Sequence, residues 1–257
     1  MNKITSVTIA LNEANNIERC IKSLIGVADE IIVLIDNKTT DLTEKILASV
    51  PEVKYSLVEW QGFSKTKQLA IDMASNNWIL WLDADEELSD ELKAEINSIK
   101  NAVPDFQAYS IPRRAMFLGR WIYHSGWYPG YVTRLFDKTS VQLSDSAVHE
   151  HLLLKSCSGK LKSDLNHYTD PSIFHYFSKF NNYTTLAALD LNKYKKKYRI
   201  SDLLIRPPFL FIKMYILKAG FLDGLQGFIL SIFSSLYVFT KYAKLWEQQY
   251  KEKQNAL

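Results

Sequence analysis

Cysteine is nearly absent from this chain. The two that occur among 257 residues, Cys20 and Cys157, lie far apart and outside any CxxC spacing. A disulfide scaffold and a cysteine-based zinc site are therefore excluded, and a reducing compartment is expected. Glycine is also scarce, at 9 residues, and no glycine-rich phosphate loop occurs. There is no internal repeat and no low-complexity segment. With 47% hydrophobic and 23% charged residues the composition is that of an ordinary globular protein, which excludes disorder and fibrous architecture. Met1 to Thr5 runs directly into an alternating strand pattern, so no signal peptide is expected. The most apolar stretch, Gly224 to Thr240, is interrupted by Gln226, Ser231, Ser234 and Ser235. It falls short of the roughly 20 strongly apolar residues that span a bilayer.

What is present is unevenly charged. The net charge of +3 conceals a C-terminal segment, from Tyr183 onward, with twelve Lys or Arg against five Asp or Glu. That segment carries +7 and leaves −4 for the rest. A basic, apolar tail behind a mildly acidic body points to an anionic membrane surface or a phosphorylated partner. No nucleic-acid partner is expected. The apolar stretch has three readings: an in-plane interfacial helix with lysines toward headgroups, a buried helical hairpin, or a dimer contact.

The first half alternates strand and helix. Ile4, Val7, Ile9 and Leu11 mark a strand; Ile17, Cys20, Ile21, Leu24 and Ile25 fall on one helical face. Glu30 to Ile35 is a β-branched run with the pattern of a strand buried on both sides. A short helix through Ile46 and Leu47 follows, then a strand at Val53, Tyr55 and Leu57. Ser64 is expected to cap a helix carrying Leu69, Ala70 and Met73, and Trp78 to Leu82 is a fourth strand. Strands separated by helical crossovers define a parallel α/β sheet. After a helix through Leu92, Ile96 and Ile99, Phe106 to Ile111 and Tyr131 to Phe136 read as strands of a mixed continuation. One long amphipathic helix is expected from Pro171 to the basic cluster Lys193, Lys195, Lys196, Lys197 and Arg199. The expected division is 1–170 for the α/β domain and 171–257 for a helical C-terminal region.

In an open parallel sheet, ligands bind beyond the carboxyl ends of the strands. Three polar sets fall there: Asn12-Glu13, Asp36, and Asp83-Ala84-Asp85. Two carboxylates one residue apart in an extended turn suit a hard divalent cation with positions left for phosphate oxygens. Asp-x-Asp alone is a common string; its place after the apolar strand Trp78 to Leu82 sharpens it. Glu86 and Glu87 read as the solvated start of the next helix.

Val7-Thr8-Ile9-Ala10-Leu11-Asn12-Glu13, Glu30 to Asp36 with Thr40-Asp41, and Trp81-Leu82-Asp83-Ala84-Asp85-Glu86 resemble a family 2 glycosyltransferase of GT-A fold. Gly126-Trp127-Tyr128-Pro129, Arg134-Leu135-Phe136, Val148-His149-Glu150 and Gly220-Phe221-Leu222-Asp223-Gly224 further resemble the subgroup that adds glucose to the inner core of bacterial lipopolysaccharide. The resemblance implies a GT-A nucleotide-sugar-binding fold with a mixed, mainly parallel sheet, followed by a helical C-terminal region. It implies that Leu11 and Glu13 line the nucleotide pocket, that Asp36 bonds uracil, and that Asp83 and Asp85 hold Mg²⁺ or Mn²⁺ against the diphosphate. Lys67 is a candidate cation beside that diphosphate, or a plain exposed lysine. Glu150 is implied as the base that takes the acceptor proton, with Asp145 its competitor. His149 either orients that carboxylate or is structural, and His167 either reaches the diphosphate or metal or is not part of the site. Trp127, with Trp121, Tyr123 and Tyr128, either stacks on sugar or packs in the core. Arg113, Arg114 and Arg134 are candidates for acceptor phosphates, Arg134 equally for a structural ion pair. The loop Asn37-Lys38-Thr39-Thr40 and the pair Lys67-Gln68 depart from the pattern on the donor side.

The activity so implied is inverting, metal-dependent transfer of a hexose, glucose first, from a UDP-sugar to a lipid-anchored saccharide of the lipopolysaccharide core. The expected location is the cytoplasm, peripheral at the inner face of the membrane. The same donor chemistry on a capsule, lipid-linked or protein-linked glycan is the alternative, as is nucleotide-sugar binding without turnover.

Overall fold

The computed structural model describes residues 2–143, 152–154 and 157–255. In chain order the elements are β1 (Ile4–Ala10), α1 (Ile17–Leu24), β2 (Glu30–Asp36), α2 (Thr43–Ala48), β3 (Val53–Val58), α3 (Phe63–Met73) and β4 (Trp78–Trp81). There follow β5 (Glu86–Leu88), α4 (Asp90–Asn101), β6 (Ala108–Phe117), β7 (Arg120–Ile122), β8 (Gly130–Asp137), β9 (Val141–Leu143), β10 (Leu152–Leu154), β11 (Gly159–Lys160) and β12 (Leu165–Asp170). The last part holds α5 (Ile173–Lys193), α6 (Ile200–Leu204), α7 (Arg206–Ile212) and α8 (Gly224–Asn255). Between α7 and α8 the chain makes a π turn, Lys213–Leu217, and a 3-10 turn, Gly220–Asp223.

The described residues form two compact units: 1–114 with 130–168, and 115–129 with 169–257. Within the second unit, 115–117 pair with 120–122, and Tyr123 and His124 donate to Asp223 near the end of the chain.

The main sheet runs in the order β3-β2-β1-β4-β8-β6-β12-β5. The first four strands are parallel; β8 turns antiparallel against β4, pairing Ile79 with Phe136 and Leu80 with Leu135. Strand alternation explains why β2 is apolar without a break. Ile31, Val33 and Ile35 face one core with Ile17, Ile21 and Leu24 of α1, whereas Ile32 and Leu34 face a second core with Ala70 and Ile71 of α3. Burial on both faces requires side chains of one polarity throughout. Helix α1 buries the stripe that its spacing predicts, including Cys20. Burial holds the Cys20 thiol far above its ordinary pKa, so it serves as a small apolar core residue.

Two boundaries differ from expectation. Helix α3 begins at Phe63 after Gly62, whose φ of +93° ends the preceding loop, so the cap position falls on Gly62 and Ser64 sits inside the first turn. The Glu86–Leu88 segment is a strand, not the solvated start of a helix. At the amino end of the sheet, Glu30 accepts hydrogen bonds from Thr5, Lys54 and Ser75, tying β1, β3 and the turn before β4 to β2. Burial works against its ionisation, but these bonds hold its pKa at about 2.

In the second unit, α8 packs along α5. Lys244 donates to the Asn181 carbonyl and to Thr184 and Thr185, and Asn192 donates to Glu252. A second cluster gathers Phe117, Ile122, Met214 and Leu230. The Gly220–Gly224 string has a structural task here: buried Asp223 accepts from the backbone N–H groups of Tyr123 and His124 at 3.2 and 2.9 Å, and its Oδ1 lies 2.9 Å from His124 Nδ1. Gly227 lets α8 approach that turn closely, since a Cβ there would lie 2.0 Å from the Gly220 carbonyl oxygen. The helix also continues well past the uncharged run. Gly220–Gln254 is long and apolar enough, by length and composition, to cross a membrane, its most apolar 18 residues having mean hydropathy 1.4.

Glu30, depressed in the folded state, stabilises above the unfolded carboxylate pKa of about 4.3 and loses that contribution as pH falls toward 2. Urea unfolding across this window is expected to show a steep loss in the wild type and a flatter profile in Glu30→Gln. Gly227→Ala is expected to lower unfolding free energy by about 1–3 kcal/mol through forced overlap; an unchanged urea midpoint contradicts the close approach.

Candidate functional site

The carboxyl ends of β2, β1 and β4 are neighbours because these strands are adjacent in the sheet. The loops they deliver are laced together. Asn12 adopts a left-handed conformation, φ +55°, and its Oδ1 accepts from the Thr40 and Asp41 backbone N–H groups at 2.8 and 3.3 Å. Asn tolerates this conformation better than most side chains. Asp41 in turn accepts from Ala14 N–H, and Thr43 Oγ1 accepts from Glu13 N–H, both within 2.9 Å. Leu11 follows β1 with its side chain about half exposed, and Glu13 accepts from Asn16 at 2.9 Å. Asp36 ends β2 almost fully buried, where its Oδ1 accepts from Lys38 N–H at 2.9 Å.

After β4 the chain makes a tight turn. Glu86 N–H donates to the Asp83 carbonyl at 2.9 Å, and Asp83 N–H donates back to the Glu86 carboxylate at 3.1 Å. Arg134, on β8, is brought to this turn by the antiparallel register with β4. One guanidinium nitrogen, Nη2, donates to both Asp83 Oδ2 and Glu86 Oε1. Lys67, in the second turn of α3, lies 3.1 Å from Asp83 Oδ1 and 4.0 Å above the Trp81 ring. It is 8% exposed, which replaces the reading of a plain surface lysine. Burial opposes ionisation of Asp83, but Arg134 and Lys67 beside it hold its carboxyl well below the usual carboxylate range. The Arg134 guanidinium is likewise kept charged, against its own burial, by Asp83 and Glu86.

Asp85 points elsewhere. Strand β12 pairs with β5, aligning His167 with Glu86, and places His167 Nε2 3.3 Å from Asp85 Oδ2. Asp83 and Asp85 thus face different partners, the first two cations and the second an imidazole. Among the described residues no group of three or more His, Cys, Asp or Glu side chains is arranged to hold a metal ion. The donor chemistry nonetheless fits a divalent cation: one carboxylate and one imidazole, both about one-fifth exposed, with remaining positions for phosphate oxygens.

Glu86 is the residue that pattern reading missed. It is 1% exposed and accepts from Arg113 at 3.1 Å as well as from Arg134. Glu87 accepts from Asn166 and from the Tyr168 hydroxyl, at 3.0 and 2.7 Å. The available signal was the alternation of Glu86 with Leu88, which in a strand share one face. Trp127, in the second unit, is partly buried and packs edge-on to Phe117, with centroids 6.3 Å apart. Glu150, His149 and Asp145 lie outside the described residues.

Residues 5–162 match the model of the glycosyl transferase family 2, and the chain belongs to that family. Full-length relatives share the name. An uncharacterized glycosyltransferase of Rickettsia typhi is 31% identical over 264 residues, covering 98% of this chain and 90% of that protein. The lipopolysaccharide core biosynthesis glycosyltransferase LpsC of Rhizobium meliloti is 27% identical, covering 95% and 92%. The fold resembles that of the mannosyltransferase PcManGT from Pyrobaculum calidifontis, solved with GDP-Man and Mn²⁺. The TM-score is 0.57 at 13% identity, over 95% of this chain and 86% of that one. The sheet is thus of GT-A type, mixed and mostly parallel, with a helical C-terminal region.

Glu86→Gln takes one of two carboxylate partners from buried Arg134, which keeps Asp83. It is expected to cost about 1–3 kcal/mol of unfolding free energy, measured by urea denaturation. A cost below about 1 kcal/mol, the level of an exposed pair, contradicts the role assigned to Glu86.

Proposed function

We propose that this protein is an inverting, metal-dependent glycosyltransferase that moves a hexose, glucose first, from a UDP-sugar to a lipid-anchored saccharide of the lipopolysaccharide core. The observation that carries the reading is the convergence of Asp83, Asp85, Lys67, Arg134 and His167 at the carboxyl end of β4 in a family 2 chain. The intended place of work is the cytoplasmic face of the membrane. The relative named for lipopolysaccharide core biosynthesis supports the acceptor class.

In this reading Leu11, Glu13 and Asp36 bind the uridine. Asp85 and His167 hold Mg²⁺ or Mn²⁺, Asp83 contributing its charge one residue away. When bound, the metal supplies Lewis-acid stabilisation of the negative charge that develops on the diphosphate leaving group. Asp83 fixes Lys67 and Arg134 at the same rim, so two further positive charges stand ready for that diphosphate without reorganisation. Glu150 takes the proton of the attacking acceptor hydroxyl, with His149 beside it in sequence.

Nucleotide release from UDP-, GDP- and CMP-sugars, with Mn²⁺ and with or without lipopolysaccharide core acceptor, tests the proposal. The expected outcome is acceptor-dependent UDP release from one hexose donor. Asp85→Ala is expected to lower it by about 10²-fold or more, the scale of a lost electrostatic contact to the transition state, and chelation should have the same effect. Glu150→Gln is expected to lower turnover by about 10²–10⁴-fold with UDP binding intact. Full transfer by Asp85→Ala in the absence of metal sinks the metal assignment. Release of pyrophosphate, or absence of UDP binding, sinks the reaction class.

A further inference from the structure

The second unit displays a surface unlike that of a water-facing domain. From Ile200 to Leu217 the chain folds as short helical pieces, α6, α7 and the π turn, and Ile200, Leu204, Ile205, Phe209, Ile216 and Leu217 are each between 56% and 71% exposed. Scattered exposed apolar side chains are normal, but six of this size within eighteen residues form a contiguous stretch that calls for a partner.

The charges around it are mostly positive. Residues 193–222 hold eight cations, Lys193, Lys195, Lys196, Lys197, Arg199, Arg206, Lys213 and Lys218, against the single acid Asp202. Asp202 is 3% exposed and already engaged, accepting from Arg199 N–H and from Arg206 Nε. Next to Ile200 opens a cavity of about 1330 Å³ lined by the four cations Lys195, Lys197, Arg199 and Lys253, by one acid, Glu252, which accepts from Asn192, and by the stacked rings of Trp246 and Tyr250. Apolar side chains beside an excess of cations and amphipathic rings match the boundary between acyl chains and anionic headgroups.

Other occupants fit less well. An isologous contact with a second copy would set eight cations against eight. A membrane span is opposed by the fold: α6 and α7 have five and seven residues, and Pro207 and Pro208 open α7. Helix α8 is long enough, but its Lys244 is bonded to Asn181, Thr184 and Thr185 of α5. A span would carry those groups, with Lys241 and Lys244, toward hydrocarbon.

We propose that residues 195–217 form an interfacial docking surface for an anionic phospholipid bilayer. Helices α6 and α7 and the turn through Leu217 settle at the acyl boundary, and Lys195, Lys197 and Arg199 take headgroup phosphates at the adjoining cavity. The surface stands on exposure and charge within this unit and is independent of the donor and acceptor assigned above.

Flotation of the full-length protein with vesicles rich in phosphatidylglycerol, compared with pure phosphatidylcholine, is the test. Binding is expected to the anionic vesicles alone and to weaken with salt. Each cation near an anionic surface contributes roughly fivefold, so Lys195→Gln, Lys197→Gln and Arg199→Gln together should weaken binding by about 10²-fold. Leu204→Ser with Phe209→Ser, at exposed positions, should also weaken it while leaving the thermal melt and UDP binding unchanged. Equal binding to neutral vesicles, wild-type binding by both variants, or resistance of both to carbonate extraction, as α8 spanning would give, overturns the proposal. So does a stable dimer in sedimentation with no vesicle binding. Loss of vesicle binding with UDP binding intact separates this failure from that of the catalytic reading.

Discussion

A buried positive charge shared between two carboxylates governs the candidate site. Arg134 reaches across from β8 to Asp83 and Glu86, which stand at either end of the turn leaving β4. Neither Arg134 nor Glu86 could be buried alone, because an unpaired charge in a low-dielectric interior is too costly to ionise. Together they fix the turn, and the rest follows from its shape. Asp83, kept ionised, holds Lys67 on its other oxygen. Glu86, locked into β5, sets the register with β12 that brings His167 beside Asp85. In the proposed reaction a rim of preset cations suits a departing diphosphate, since charges already in place need no reorganisation.

The two units are stabilised by different means. The first is a sheet buried on both faces, with alternate residues of β1, β2 and β4 feeding separate cores. The second adds polar anchors to its apolar cluster around Phe117, Met214 and Leu230: buried Asp223 binds the 123–124 backbone, and Lys244 joins α8 to α5. The glycine-bearing string near the C-terminus, read first as a subgroup signature, is explained by this packing, in which Gly220 and Gly227 permit an approach that any side chain would block.

Family 2 membership and the GT-A sheet define the protein's chemistry as glycosyl transfer. The two carboxylates of the Asp-x-Asp string have different partners: Asp83 is bound up with Lys67 and Arg134, and Asp85 faces His167.

Periodicity and composition determined much of this by themselves. The parallel α/β half, the two-sided burial of β2, the stripe of α1 and the long helix α5 are legible because each reflects a local period of burial that a linear pattern records. The rim residues Asp36, Asp83 and Asp85 are legible because parallel strands deliver their carboxyl ends to one edge. Only the tertiary structure decided that Glu86 is a buried strand residue, that Lys67 and Arg134 converge on Asp83, that His167 sits against Asp85, and that 115–129 joins the C-terminal unit. Those contacts join residues 16 to 102 positions apart. A charged side chain looks the same in sequence whether water or a distant partner solvates it; the register of β4 with β8 and of β5 with β12 supplies the partner.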